Sequence, residues 1–302
     1  MKRVKKYYRI EFELTSPLSV GCGEDRVSDS DIVRDSRGLP YIPGTALAGV
    51  YRRLFTPETA EKYFGLDLTE ERIRESPKKG RNVLTDSSVL VYDAHTLNSE
   101  KGVSVTRDMV ALDEYKVAKP GAKFDFEVLE PGVTFVTYIE QNMDSADQQY
   151  VADEIALAWM KGDIRVGAKT ARGYGHTKSV RMDSRLFDLS DETERGKWLD
   201  FDMYADTDEK GNPAWESVSI PRCLSSMEQD NAECKKIKKL YGEKGIRLAQ
   251  KDIRTLCLDL KLRGGISVRK YSTDVGEADY VQLTETGDTQ ADAEGIPVIP
   301  GT

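Results

Sequence analysis

The chain has 302 residues, 39% of them hydrophobic and 32% charged, enough to bury one large core or two modest ones. No window approaches the ~20 apolar residues of a membrane span, and the basic start MKRVKKYY has no apolar run behind it to make a signal peptide. Four isolated cysteines (Cys22, Cys223, Cys234, Cys257) form no C-x-x-C pair, which excludes a zinc knuckle or a disulfide framework and predicts a soluble protein of a reducing cytoplasm.

The formal charge of −8 argues at first against a nucleic-acid partner. Its distribution reverses that reading. Residues 183–210 hold ten Asp/Glu against four Lys/Arg, a local −6, and the remainder is nearly neutral. Within that remainder, residues 161–178 carry Lys161, Arg165, Lys169, Arg172 and Lys178 against Asp163 alone. Such a +4 stretch suits phosphates, and from charge alone it equally suits a solvated face.

In chain order, Tyr8, Ile10, Phe12 and Leu14 alternate with Arg9, Glu11 and Glu13, which predicts a first strand with one buried and one wet face. A long Gly/Asp/Ser-rich loop follows. Pro43-Gly44-Thr45 then supplies a turn and N-cap, with Leu47, Val50, Tyr51 and Leu54 at helical spacing behind it. SSVLVYDA (87–94), KFDFEVLE (123–130) and TFVTYIE (134–140) read as strands, the last two joined at Pro131-Gly132 as a hairpin. Val151, Ile155, Ala158 and Trp159 mark a second amphipathic helix ending near Gly162, and a Gly-rich loop leads to a strand near 174–182. The order β-α-β-β-α-β predicts an α+β, ferredoxin-like (RRM-like) fold, an antiparallel sheet with helices on one face.

The next segment, 183–252, reads as an acidic linker with some helix. Beyond it, Leu256, Leu258, Leu260 and Leu262 alternate as the first strand does, LKLRGGISV (260–268) aligns with FELTSPLSV (12–20), and GIPVIPGT (295–302) repeats GLPYIPGT (38–45). The expected organisation is therefore a first domain at 1–182, the linker, and the start of a second copy at 253–302, as in a piece of a longer tandem protein.

Four stretches together carry a family resemblance: LTSPLSVG (14–21), DSDIVRDSRGLPYIPGTALAGVYR (29–52), RDMVALDEYKVAKPGAKFDFEVLEPG (107–132) and GAKTARGYG (167–175). In this order and spacing the chain resembles the RAMP superfamily, the RRM-like proteins that form the backbones of type III CRISPR effector complexes. The resemblance implies a backbone subunit that holds guide RNA (crRNA) without reading its sequence and meets target RNA. Its further partners would be other type III effector subunits or further RAMP domains of the same chain. Gly167, Gly173 and Gly175 would allow close approach while Lys169 and Arg172 bring charge, with His176 directly after them and Arg52 and Arg53 adding contacts from the first helix. No Walker A pattern is present in that loop, so nucleotide hydrolysis is not inferred.

The resemblance further implies that the polar 104–127 stretch forms a long thumb-like hairpin, with Met109 and Val110 as an apolar wedge between guide and target. The catalytic carboxylate of target-cleaving relatives falls on Asp29, counted back from Asp35, with Asp31 as the runner-up. Either would act with a Mg²⁺ ion that arrives with the RNA, making the chain a metal-dependent endoribonuclease. In the second copy Thr286 stands opposite Asp29. Two alternatives stay open: a non-catalytic structural subunit, and a guide-processing endonuclease using His176. Read without the resemblance, the loop aspartates are turn-forming residues.

Overall fold

The computed structural model of the chain describes residues 3–21, 31–65, 86–97, 104–114, 118–144 and 151–218, and beyond these only 261, 269–271, 280–282, 284–285 and 296–297. Asp29, the four cysteines, the sequence alignments at 260–268 and 295–302, and Thr286 lie, wholly or in large part, outside the described residues.

A central sheet is built on β1 (Arg3–Leu14), which pairs antiparallel with β7 (Thr134–Asp144) on one side and β8 (Thr177–Asp188) on the other. Beyond β7 lie β3 (Val89–Val91) and β4 (Ala94–Thr96), then β2 (Tyr41–Ile42); beyond β8 lies β9 (Glu216–Ser217). Taking β1, β3/β4, β7 and β8 as the four strands of the fold, the spatial order is fourth-first-third-second, the order of a ferredoxin-like sheet. The single predicted strand at 87–94 is two short ones, because Tyr92 and Asp93 interrupt the pairing with β7.

Three helices cover one face: α1 (Gly44–Arg52), α2 (Pro57–Phe64) and α3 (Val151–Lys161). Tyr8, Ile10, Phe12 and Leu14 point into this core as their alternation predicts. Phe12 stacks on Phe135 at 5.6 Å and lies 4.4 Å from Trp159, ring centre to ring centre. The indole N–H of Trp159 donates to the Tyr51 hydroxyl at 3.0 Å, so a buried hydrogen bond ties α3 to α1. Burial pushes the Tyr51 phenol pKa far up, which keeps it neutral.

The opposite face of β1 is not simply wet. Tyr7 and Arg9 are buried there, beneath residues 189–218, which continue past β8 through α4 (Glu192–Leu199). Phe201, Ala214 and Trp215 pack on Tyr7, Val136, Tyr138 and Phe187, and the Trp198 indole donates to the Tyr7 hydroxyl at 2.9 Å. Arg9 pairs with Glu11 at 3.0 Å and with Asp206. The domain boundary expected at 182/183 thus falls inside β8, and the first part of the expected linker is a strap across the sheet.

The expected hairpin between KFDFEVLE and TFVTYIE is replaced by a different pairing. β6 (Ala118–Leu129) pairs with β5 (Ser104–Leu112) in a separate antiparallel ribbon, the thumb-like hairpin, and Glu130 to Val133 carries the chain from it into β7. In the C-terminal stretch the described pieces are two small pairs, β10 (Arg269–Tyr271) with β11 (Tyr280–Gln282), and β12 (Thr284–Glu285) with β13 (Ile296–Pro297). Among the described residues no helix is long and apolar enough to cross a membrane.

The turn PGT starts α1 by a route other than the expected cap. Pro43 occupies the N-cap without a side-chain bond, and the first N–H, that of Gly44, donates instead to Asp93 Oδ1 at 2.7 Å. A Cβ on Gly44 would sit 2.4 Å from the Val91 carbonyl oxygen, whereas one on Gly49, in the same helix, would meet nothing within 4 Å. Chemical denaturation should therefore separate them: Gly44→Ala destabilises by about 2 kcal/mol through displaced backbone, and Gly49→Ala stabilises by up to about 1 kcal/mol through helix propensity.

Candidate nucleic-acid interface

The site is organised by an extended strip, Pro17 to Gly21, that follows β1. In an extended chain successive carbonyls point to opposite edges. On one edge Pro17 O accepts from Gly175 N at 2.8 Å and Ser19 O accepts from Ala168 N at 2.7 Å, which seats the Gly-rich loop. On the other, Leu18 exchanges two 2.9 Å bonds with Leu129 at the base of the ribbon, and Val20 O accepts from Val33 N at 3.0 Å. One short strip thus joins the Gly-rich loop, the ribbon and the acidic loop.

The Gly-rich loop closes on itself through Val166 N to Gly175 O at 2.9 Å and holds a 3-10 turn at Thr170–Arg172. Gly167 (φ 77°) and Gly175 (φ 72°) take the left-handed region, where a Cβ would lie 2.5 Å from Ser19 O and 1.8 Å from Val166 O respectively. These two glycines admit the protein's own backbone, not a ligand. Gly173, at the exposed crest, is the one with nothing within 4 Å of its Cβ position. Lys169 also adopts φ 59°, and its ammonium sits 3.6 Å from the centre of the Phe126 ring on β6. Burial, then the neighbouring Arg172, lowers the Lys169 pKa. Arg172 is exposed, as are Arg165 and Lys178.

His176 is partly exposed and held by its backbone, its N–H donating to Ser16 Oγ at 2.9 Å and its carbonyl accepting from Thr15 at 3.0 Å. Burial, then Arg165, lowers its pKa.

The acidic loop enters the described residues at Asp31, which is partly exposed. Ile32 N–H donates to Glu127 Oε2 at 2.9 Å, and Arg34 binds Glu127 Oε1 as well as Ser104 Oγ. Burial works to raise the Glu127 pKa, but the bonds from Ser104, Ile32 and Arg34 outweigh it and hold the carboxylate ionised. Asp35 closes its own turn, accepting from Leu39 N and Arg37 N at 2.9 Å each, and its pKa falls through those bonds, Leu39's first. Its role is the turn-forming one.

The strip therefore brings together Asp31, Gly167, Lys169, Arg172, Gly173, Gly175 and His176. Arg52 and Arg53 lie at the end of α1: Arg52 Nη1 donates to Gly65 O at 2.8 Å, closing the end of α2, and Arg53 is the exposed C-cap. Met109 and Val110 lie within β5, opposite Phe124 and Lys123, short of the ribbon's turn. Four residues not expected from sequence complete the site: Phe126, Glu127, Arg107 and Tyr174. Arg107 donates to the Tyr174 hydroxyl at 3.2 Å and to Glu130 Oε1 at 3.1 Å, fastening the ribbon to the Gly-rich loop. Only the alternation of Phe124, Phe126 and Val128 signalled any of this.

A family model described as the RAMP superfamily matches residues 11–178, more than half of the 302 residues and the whole of this site. The chain belongs to the RAMP superfamily. The match ends before the strap that covers the second sheet face of this RAMP chain. No curated protein matches it. Among solved structures it is similar to a chain of the cryo-EM structure of the type III-B Cmr-beta bound to cognate target RNA, at 20% identity and a TM-score of 0.45. That similarity covers 60% of this chain, which spans 60% of the length of its counterpart.

Since His176 lies below its ordinary value of 6.5, the unfolded chain binds a proton first as pH falls. Stability contributed by the neutral imidazole is present above that value and declines as pH drops through it. Denaturant midpoints measured across this window should fall with acid, and His176→Gln should flatten that part of the profile.

Proposed function

We propose that this RAMP chain is a backbone subunit of a type III CRISPR effector that holds guide RNA by its phosphates and cuts complementary target RNA. The observation that carries this reading is the two-edged strip, which seats a cationic Gly-rich loop and an acidic loop a few residues apart. Lys169, Arg172, Arg165 and Lys178 offer charge without base-edge readout, as suits a guide of any sequence. The open crest at Gly173 leaves backbone accessible beside them.

Cleavage would use the RNA's own 2′-hydroxyl. Its oxygen attacks the adjacent phosphorus in line, the bond to the 5′ oxygen breaks, that oxygen takes a proton from water, and the products are a 2′,3′-cyclic phosphate and a 5′-hydroxyl. A loop carboxylate takes the 2′ proton or orients the group that does. Asp29 is the first assignment and Asp31 the second, from their places before Asp35 in the family's loop pattern, and Asp35 itself closes its own turn with Leu39 and Arg37. Among the described residues no cluster of three or more metal-ligating side chains forms. A loop with one or two carboxylates fits Mg²⁺ only as a shared ligand set, completed by phosphate oxygens. Asp29 and Asp31 would hold the ion there, and it would supply charge stabilisation at the pentacoordinate phosphorus.

In the assembled effector, Asp29→Ala should slow target cleavage by about 100-fold or more with guide binding intact. Activity that survives Asp29→Ala and dies in Asp31→Ala reassigns the carboxylate; full activity in both leaves a structural subunit. Blocked guide maturation in His176→Ala, with target cleavage preserved, would replace this reading by guide processing. For binding, Lys169→Ala/Arg172→Ala should weaken guide affinity and reduce the slope of log K against log salt by about 0.7 per lost phosphate contact.

A further inference from the structure

The strap leaves one strip of the second sheet face uncovered, over β3 and β4. An open cleft of about 260 Å³ lies there, lined by Val91, Tyr92, Asp93, His95, Tyr138 and Tyr204. Tyr204 stands at its rim with 64% of its surface exposed, although it is a large aromatic residue. Its ring meets Tyr138 edge-on, centroids 5.1 Å apart and planes at 75°, so the two make an aromatic corner. An Asp202 turn fixes the backbone beneath it, Tyr204 N–H donating to Asp202 Oδ1 at 2.9 Å. On the far side His95 stacks on Tyr41 at 5.9 Å.

The charge of the cleft selects among occupants. No Lys or Arg lines it, and Asp93 does, with Oδ1 accepting from Gly44 N–H at 2.7 Å and Oδ2 as a second acceptor. Behind the wall the Tyr92 hydroxyl donates to Glu140 Oε2 at 3.2 Å, and Lys5 answers Glu140 from the other side at 2.6 Å. The nearest guanidinium groups are engaged, Arg9 with Glu11 and Asp206, Arg181 with Asp183 at 2.8 Å. The strap that forms the rim, residues 189–218, holds nine Asp/Glu against three Lys/Arg, a net −6. A polyanion is repelled by such a surface, and perpendicular tyrosine rings present their negative faces to a cation better than they sandwich a flat base.

We propose that this cleft receives an arginine or lysine side chain of an adjoining protein subunit, held by the Tyr138–Tyr204 corner and the Asp93 carboxylate. None of the residues that line it seats the Gly-rich loop or the acidic loop on the strip, so the proposal stands whether or not the RNA-cutting assignment does.

The test uses the full chain with ¹³C-labelled tyrosine and N-acetyl-arginine amide as the probe, with N-acetyl-glutamine amide and GMP alongside. The Tyr204 and Tyr138 ring signals should shift saturably with the arginine probe and not with the glutamine one. Tyr204→Ala should weaken the response at least about fivefold while Tyr204→Phe, which keeps the π face, retains it. An unchanged response in Tyr204→Ala, no saturable shift up to about 50 mM, or a shift by GMP in place of the arginine probe would each overturn the proposal, the last in favour of a base-binding platform.

Discussion

The strip from Pro17 to Gly21 has two hydrogen-bonding edges, and every part of the candidate interface hangs on one or the other. Pro17 and Ser19 hold the Gly-rich loop; Leu18 and Val20 hold the ribbon base and the acidic loop. Because successive residues of an extended chain alternate in direction, no slip by one residue is tolerated, since it would exchange the two sets of partners. The glycines are part of the same constraint. At Gly167 and Gly175 the loop backbone comes so close to Ser19 and Val166 that no side chain fits. The cations are then carried on a frame whose position relative to the acidic loop is set by main-chain bonds, not by flexible side chains.

A second layer of contacts makes the frame rigid towards the ribbon. Lys169 over Phe126, and Arg107 between Tyr174 and Glu130, place charged groups against an apolar patch of Phe126, Val128 and Tyr174. Such partly desolvated pairs are costly to leave half-made, so they favour one arrangement of loop and ribbon over others. Meanwhile the sheet face that a bare RRM-type fold would expose is largely occupied by Trp198, Phe201 and Trp215. The groups left exposed around the strip are therefore those of the loops, while the second sheet face is open only over β3 and β4.

Where local periodicity is dictated by one buried face, the sequence foretold the structure well. Tyr8, Ile10, Phe12 and Leu14 of β1, Leu47 and Tyr51 on α1, and Val151, Ile155, Ala158 and Trp159 on α3 all enter the core, as their spacing requires. Where a contact joins distant segments it was not legible. Periodicity gave no sign of the pairing of β5 with β6, because Thr106, Arg107 and Asp108 give β5 no apolar alternation; the family resemblance alone implied that hairpin, while the alternation of β6 suggested the adjacent β7 as its partner. The strap was hidden for a related reason: Trp198, Phe201 and Trp215 are scattered among acidic residues, and their partners Tyr7, Tyr138 and Phe187 sit at positions that look merely solvent-facing. For the site, the charge of Lys169 was visible but its seat on Phe126 was not, and the glycines signalled close approach without saying to what. The cation at Arg52 was visible, but not the carbonyl, Gly65 O, to which its Nη1 donates.

Under the proposed function, RNA lies against the two loops that the strip seats and not across the sheet. Photocrosslinking of guide and target RNA to the assembled effector, with adducts mapped by mass spectrometry, addresses it directly. The account predicts guide adducts within 163–176, target adducts near 31–35, and none on Trp198, Phe201 or Trp215. Adducts concentrated on those three aromatic residues, with 163–176 unmodified, would contradict it.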